Sequence, residues 1–306
     1  MSAGRARKRL GRLLVIGVPY LWLGIFFLLP MAIVFRISLS EPRLAQPPYT
    51  PTFDLGAGWD GLVDFFSQLS FDNFVFLTTD DLYVSAVLSS LRIATTATLI
   101  LLLIGYPLAY AMARAPQSWR PILVALVILP FWTSFLIRVY AWIGILRTEG
   151  LLNLFLMSIG ITDQPLVILN TELGVQIGIV YTYLPFMVLP LYATLERMDD
   201  SLIEAAQDLG STPFKAFWTI TVPLSAPGII AGCLLCFIPA VGEFVVPDLL
   251  GGSDTLMIGR VLWSEFFSNR DWTLASAVAI VMLILLVGPI VLFREIEARR
   301  AEEEAR

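Results

Sequence analysis

Few side chains in this sequence could do chemistry, and their spacing removes most of the options. Histidine is absent. That excludes His-ligated metal sites and the Ser-His and Cys-His nucleophile pairs. Lysine occurs at Lys8 and Lys215 alone, and neither follows a glycine-rich loop. The phosphate-cradling pattern G-x4-G-K-[ST] therefore cannot form, and any ATP hydrolysis must come from a partner. Cys233 and Cys236 make a C-x-x-C inside an apolar run and read as small, polarisable packing residues on one helix. No pair of acids falls within one apolar stretch, which weakens intramembrane aspartyl chemistry. What remains are ionisable residues at or near the ends of long apolar stretches: Arg92, Arg138 and Glu243. The arginines fit snorkelling or pairing within a bundle. Glu243 follows Gly242 at the end of its stretch and precedes Phe244.

The elements that hold these residues are membrane helices. The 306 residues are 57% hydrophobic and 15% charged, with mean hydropathy +0.79. A soluble domain carries about 25% charged residues. A bilayer core needs roughly 20 apolar residues per helix. Six stretches qualify: Leu13 to Phe35; Ile93 to Ala113, extended back to about Leu82; Pro121 to Leu146, interrupted by Arg138; Leu173 to Leu195; Pro223 to Gly242; and Thr273 to Phe293. The first follows a basic tail, as a signal peptide would. Its 23 residues exceed the core of a cleaved signal, so it is expected to stay as a helix.

Six spans put both termini on one side. Of the 20 Lys and Arg residues, 13 lie in the two tails and in the 114–120 and 196–221 loops. The positive-inside rule places that face in the cytoplasm. The expected organisation is a basic tail over 1–12, one transmembrane domain over 13–293, and a charged cytoplasmic tail over 294–306. On the outer side, the 37–81 loop is acidic, and Pro47, Pro48 and Pro51 should break regular structure there. Residues 151–157 form an apolar run too short to span, suited to an interfacial or re-entrant helix. Trp263 and Trp272 suit a membrane–water boundary.

The cytoplasmic 196–221 loop predicts two short helices. Ser201 and Glu204 have the S-x-x-E spacing of a capping box. The helix should run through Ala205 and Ala206 and stop at Gly210, the residue suited to a left-handed end. Thr212-Pro213 marks a second start, and Phe214, Phe217 and Trp218 then lay an apolar stripe on one face.

Taken together, Glu204-Ala205-Ala206, Gly210 and Ile220-Thr221-Val222-Pro223 resemble the "EAA" signature of importer-type ABC permeases, E-A-A-x3-G-x9-I-x-L-P. Val222 replaces the usual Leu. Residues 129–142, 163–166 and 237–247 resemble the polyamine permeases of that superfamily, putrescine importers first and spermidine importers next, and the likeness runs over about residues 13 to 293. The resemblance implies an all-α, polytopic type I ABC importer permease with six transmembrane helices and no catalytic residues, cofactor or metal of its own. It implies ATP and Mg on a partner ATPase dimer gripping Glu204, Ala205, Ala206 and Gly210. It also implies a second, different permease subunit, an extracytoplasmic polyamine-binding protein docking outside, surrounding membrane lipid, no nucleic acid, and the bacterial inner membrane. A polyamine is a flexible cation, recognised by carboxylates and aromatic faces. Glu243 could offer the carboxylate, and Tyr140, Trp142, Tyr181 and Tyr183 the aromatic surface. The competing reading of Glu243 is an ion pair inside the bundle, such as with an arginine. A permease for another small solute and, remotely, a polytopic membrane enzyme are the alternatives in function.

Overall fold

In a computed structural model, residues 15–52 and 58–304 are described. The basic tail expected over 1–12 lies outside them. Two compact units divide the chain: the described parts of 1–84 with 262–306, and 85–261.

The first unit is built on α1 (Val15–Ser38), continuous through a π turn at Gly24–Leu28. It packs against α14 (Trp272–Glu304), which contains the sixth expected span. The described residues between α1 and the second span are more ordered than the prolines predict. Glu41–Pro42 pairs antiparallel with Tyr49–Thr50, and two helices follow, α2 (Gly58–Ser67) and α3 (Asp72–Thr79). Half-buried polar contacts explain the order. Arg36 donates to the Pro51 carbonyl at 2.8 Å and lies 4.9 Å over the Phe65 ring. Asn73 donates to the carbonyls of Ser38 and Ser40. Prolines stop helices only where they sit, and both helices begin beyond them.

The second unit holds most of α4 (Asp81–Arg114), then α5 (Arg120–Ile128), α6 (Phe135–Leu146), α7 (Leu151–Ser158) and α8 (Glu172–Leu195). The short pair α9 (Ser201–Asp208) and α10 (Pro213–Leu224) follows, then α11 (Ala226–Val241), α12 (Val245–Leu250) and α13 (Ile258–Trp263), the last running past the unit's end. Ile93, Leu101, Ile179, Met187 and Leu191 are fully buried between these helices. The closest packing is α8 on α11. A Cβ on Gly228 would meet the Pro190 carbonyl and Thr194, and one on Gly232 would meet Met187. Two glycines four apart bring the backbones together, as small residues do in membranes, where packing replaces the hydrophobic drive.

Among the described residues, four helical stretches are long and apolar enough to cross a membrane, namely α1, α4, α8 and Phe135–Ser158, which runs through α6 and α7, or five if the bent pair α10 and α11 counts as one span. Two departures explain why six are not reproduced as simple helices. The third expected span breaks in two: α5 runs into a 3-10 turn at Leu129–Trp132, Thr133 and Ser134 are extended, and α6 starts afresh. The fifth bends by 63° at Ser225. Pro227 has no N–H to continue the ladder there, and a π turn at Phe217–Thr221 precedes the bend. The apolar part of the sixth, Trp272–Gly288, is a short stretch inside a longer helix. Residues 151–157 are helical as expected, in α7. Buried Asn153 fixes that helix, exchanging hydrogen bonds with the Leu166 backbone and donating to the Thr148 carbonyl.

Candidate coupling handle and translocation path

The candidate handle, the helix pair α9 and α10, starts with a cap different from the expected one. Asp199 Oδ1, not Ser201, accepts a backbone N–H, that of Ser201 at 3.0 Å, and Asp200 stands at the N-cap with helical dihedrals. Ser201 is already the first helical residue, so its hydroxyl cannot close the box with Glu204. Asx turns compete well for such a position. The Ser201 N–H also holds the Asp199 carboxyl below its usual range.

The stop is as expected. Gly210 has φ +85°, its N–H reaches the Gln207 carbonyl at 2.8 Å, and the Ser211 N–H reaches Ala206 at 2.9 Å. These two bonds make a Schellman motif. The restart is also as expected, with Thr212 Oγ1 accepting the Lys215 N–H and Pro213 at the first position. Glu204, Ala205 and Gly210 are exposed and Ala206 is half-buried. Leu209 and Phe214 stand 89% and 75% exposed beside them, an apolar rim that a partner could cover.

The handle is fastened at its base. Phe217 meets Tyr106 and Tyr110 of α4 edge-on, each at 5.7 Å. The Tyr106 hydroxyl lies 2.9 Å from Ser225 Oγ. Arg114 pairs with Asp200, and Arg120 Nη1 lies 3.6 Å from Glu196 Oε1. These pairs join two loops that the charge count had already put on the same side. Their partners lie far apart in sequence, so spacing did not reveal them.

Glu243 is buried and binds no arginine among the described residues. Its Oε2 accepts the Tyr183 hydroxyl at 2.6 Å, and its Oε1 accepts the N–H groups of Val245 at 3.1 Å and Val246 at 3.5 Å. The acid therefore caps α12 from within the bundle. The expectation of an arginine partner gives way to a tyrosine and two amides, which satisfy a carboxylate without adding charge. Of the aromatic candidates, Tyr183 joins Glu243, Trp142 meets Tyr181 edge-on at 5.3 Å, and Tyr140 stands apart, 58% exposed. Sequence reading missed Phe131 and Phe186. Phe186 lies 6.1 Å from Tyr183 and 5.3 Å from Phe131, and the Arg138 guanidinium sits 4.8 Å over Phe131. An aromatic line thus runs from an arginine to a buried carboxylate. Arg92 finds the partner that its position demanded, Glu172 on α8 at 2.5 Å. Cys236 is buried and donates to the Tyr183 carbonyl, and Cys233 is half-buried; both are free, as packing residues are.

Apolar spanning helices, an exposed polar helix pair and a buried polar interior suit a membrane transport subunit. The chain belongs to the family of binding-protein-dependent transport system inner membrane components, whose model matches residues 102–300 and so includes the handle and Glu243. It is 41% identical over 273 residues to the spermidine/putrescine transport system permease protein PotB of Haemophilus influenzae, covering 89% of each chain. It is 46% identical over 215 residues to PotB of Escherichia coli, covering 70% of this chain and 78% of that one. Its fold is that of a subunit of a bacterial alginate ABC transporter solved in complex with a pentasaccharide-bound periplasmic protein. There the TM-score is 0.69 at 19% identity, over 97% of both chains.

Proposed function

We propose that this chain is the permease subunit of an ATP-driven importer for polyamines, putrescine or spermidine, and forms half of its pore. The observation that carries the reading is the 41% identity to a spermidine/putrescine permease over 89% of the chain. The handle supports the coupling part. Two short helices joined by a left-handed glycine, with Glu204, Ala205, Ala206 and Gly210 on an exposed tip, suit a grip by an ATPase dimer that carries the ATP and Mg. This chain has no phosphate-binding loop and needs no cofactor of its own. The transporter of similar fold that holds a periplasmic protein supports an extracytoplasmic polyamine-binding protein as the donor of substrate. The 37–81 segment is the candidate surface for it. A second, different permease subunit completes the pore within the lipid bilayer.

In this reading one transmembrane domain covers 13–293, between cytoplasmic tails over 1–12 and 294–306. Glu243 and Tyr183 lie on the substrate's path. The carboxylate supplies attraction to a passing ammonium, and Trp142, Tyr181 and Tyr140 supply aromatic surface. Transport by the reconstituted complex tests the proposal, with labelled putrescine in competition with unlabelled spermidine. Uptake that depends on ATP and is blocked by spermidine is expected. Uptake of neither amine, with ATP hydrolysis intact, would transfer the pore to another small solute.

A further inference from the structure

A cavity of about 340 Å³ opens in the second unit, between the first turns of α4 and the loop that joins α12 to α13. Its walls are of two kinds. Ser85, Ser89, Arg92 and Asp254 are polar, and Leu88 and Leu256 are apolar. The loop that carries Asp254 is held firmly. The Ser90 hydroxyl accepts the Ile258 N–H at 2.8 Å, and Arg260 donates to the Gly252 carbonyl at 3.3 Å. A Cβ on Gly252 would strike the Asn170 carbonyl, so the loop lies close against that segment. Asp254 itself is exposed. It takes one hydrogen bond, from Ser253 Oγ at 3.2 Å, and pairs with no cation among the described residues. A fixed backbone thus presents an acid that the fold does not use.

Arg92 does not cancel that charge. Its guanidinium pairs with Glu172 of α8 at 2.5 Å, so the three charges sum to minus one. One turn further along both helices, Gln176 donates through Nε2 to Thr96 Oγ1 and, at 3.4 Å, to the Ile93 carbonyl. A carbonyl only accepts, which fixes the orientation of the amide. Gln176 Oε1 is then left buried without a donor, on a residue 9% exposed. A buried acceptor without a partner is rare in folded proteins. The seam between α4 and α8 therefore carries acceptors in succession, Asp254 and Glu172 at its mouth and Gln176 one turn in. Tyr183, which holds Glu243, lies on the same face of α8 as Gln176 and about 10 Å further along.

We propose that this cavity is the entry site for an organic ammonium on its way to Glu243. The inference rests on the polyamine reading above and names where the substrate is first held. Asp254 takes an ammonium, and the hydroxyls of Ser85 and Ser89 add acceptor lone pairs. Leu88 and Leu256 cover the methylenes that separate one ammonium from the next. Charged groups spaced by hydrocarbon need walls of both kinds. In the six-span orientation this end of α4 faces outward, the side on which a binding protein would release its load.

The test uses the full complex, with its ATPase, second permease and binding protein, in proteoliposomes. A spermidine derivative that carries an aryl azide and keeps two ammonium groups is photolysed with the complex. Adducts are mapped by mass spectrometry. Adducts on residues 85–92 or 253–256 are expected, and unlabelled spermidine should remove them. Asp254→Asn should lower that labelling, and uptake per complex, by roughly two- to five-fold, the scale of a solvent-exposed ion pair. Arg92→Gln should raise the labelling, because the local charge becomes minus two. A merely structural role would make both variants label less. Added salt should weaken labelling of the parent more than of Asp254→Asn. Adducts near Glu243 with none at the cavity would overturn the inference and leave the importer reading standing. So would a fall in labelling with both variants. Uptake of neither amine by the parent complex, with ATP hydrolysis intact, would overturn both.

Discussion

Tyr183 donates its hydroxyl proton to Glu243 across 2.6 Å, from the middle of one membrane helix to the end of another. The same carboxylate receives the Val245 amide at 3.1 Å. One acid therefore links α8, α11 and α12, and does so without a cationic partner. In the proposed polyamine path, this carboxylate is the group that attracts the passing ammonium.

Glu243→Gln separates the structural and transport roles. The amide keeps an oxygen for the Val245 N–H, and no arginine loses a partner, so intact complex should form at close to normal yield. Transport per complex should fall, because the charge is gone. Tyr183→Phe removes a hydrogen bond to a charged group, about 1.5–3 kcal/mol, and should lower the melting temperature of the complex. Yield and specific transport are measured together for each variant. Lost yield with unchanged specific transport for Glu243→Gln would leave Glu243 as a cap only.

At Gly210 the space beside the residue is open, with no atom within 4 Å of an added Cβ. Any penalty of substitution within this chain is therefore the backbone's, at φ +85°. Alanine in the left-handed region costs roughly 1–2 kcal/mol, whereas asparagine adopts it readily. Proline cannot adopt it and also loses the N–H bonded to Gln207. ATPase co-purification and transport should fall in the order Asn, Ala, Pro, with Asn close to the parent. An Asn variant as defective as Ala would move the requirement from conformation to contact with the ATPase.

Gly210 shows what the sequence could disclose. A local conformational demand leaves a local mark, and the glycine, Thr212 and Pro213 were legible for that reason. The broken third span was not. Leu129-Pro130-Phe131-Trp132 stays apolar through the break, and hydropathy reports the surroundings of a segment rather than its path. Pro130 and the polar pair Thr133-Ser134 are the marks it left. Tyr183 and Glu243 stand 60 residues apart, and nothing in their spacing pairs them. The apolar stretch around Glu243 located the acid, but only the fold supplies its partners.

The Asp199 cap predicts a contrast between neighbouring residues. Asp199→Ala should loosen the start of α9, because the Ser201 N–H loses its acceptor, while Ser201→Ala should change little. A closed capping box would have given the opposite order. The Asp199 carboxyl is lowered by that N–H. A lowered acid contributes stability that is complete above the unfolded value, about 3.9, and is lost as pH falls through the folded one. The protection of the α9 amides against hydrogen exchange, corrected for the intrinsic exchange rate at each pH, should therefore fall below pH about 4 in the parent. It should respond less to pH in Asp199→Ala.

Orientation is open to chemical labelling. With six spans, 13 of the 20 basic residues fall on one face, and the positive-inside rule predicts Ser2 and Ser211 in the cytoplasm and Thr50 outside. With Cys233 and Cys236 replaced, single cysteines at Ser2 and Ser211 should react with an impermeant maleimide only in inside-out vesicles. A cysteine at Thr50 should react in intact spheroplasts. The reverse pattern would refute the six-span orientation.

The contact between α8 and α11 should be the least tolerant packing surface in the second unit. Gly228 and Gly232 lie one turn apart, so a side chain on either pushes the two helices away from each other. At Gly232 the obstacle is the Met187 side chain and carbonyl, and at Gly228 it is the Pro190 carbonyl with Thr194. Methionine can yield and a carbonyl cannot. Gly232→Ala should therefore be the milder change, and Gly228→Ala the harsher, within the roughly 1–3 kcal/mol typical of overpacking. Thermal unfolding of the purified complex reads the difference. Separation of these helices also shifts Tyr183 on α8 away from Glu243 beyond α11, so Gly228→Ala should lower transport per complex as well as stability. Equal stability of both variants and the parent would show that the two helices part freely, against the close approach that the glycines allow.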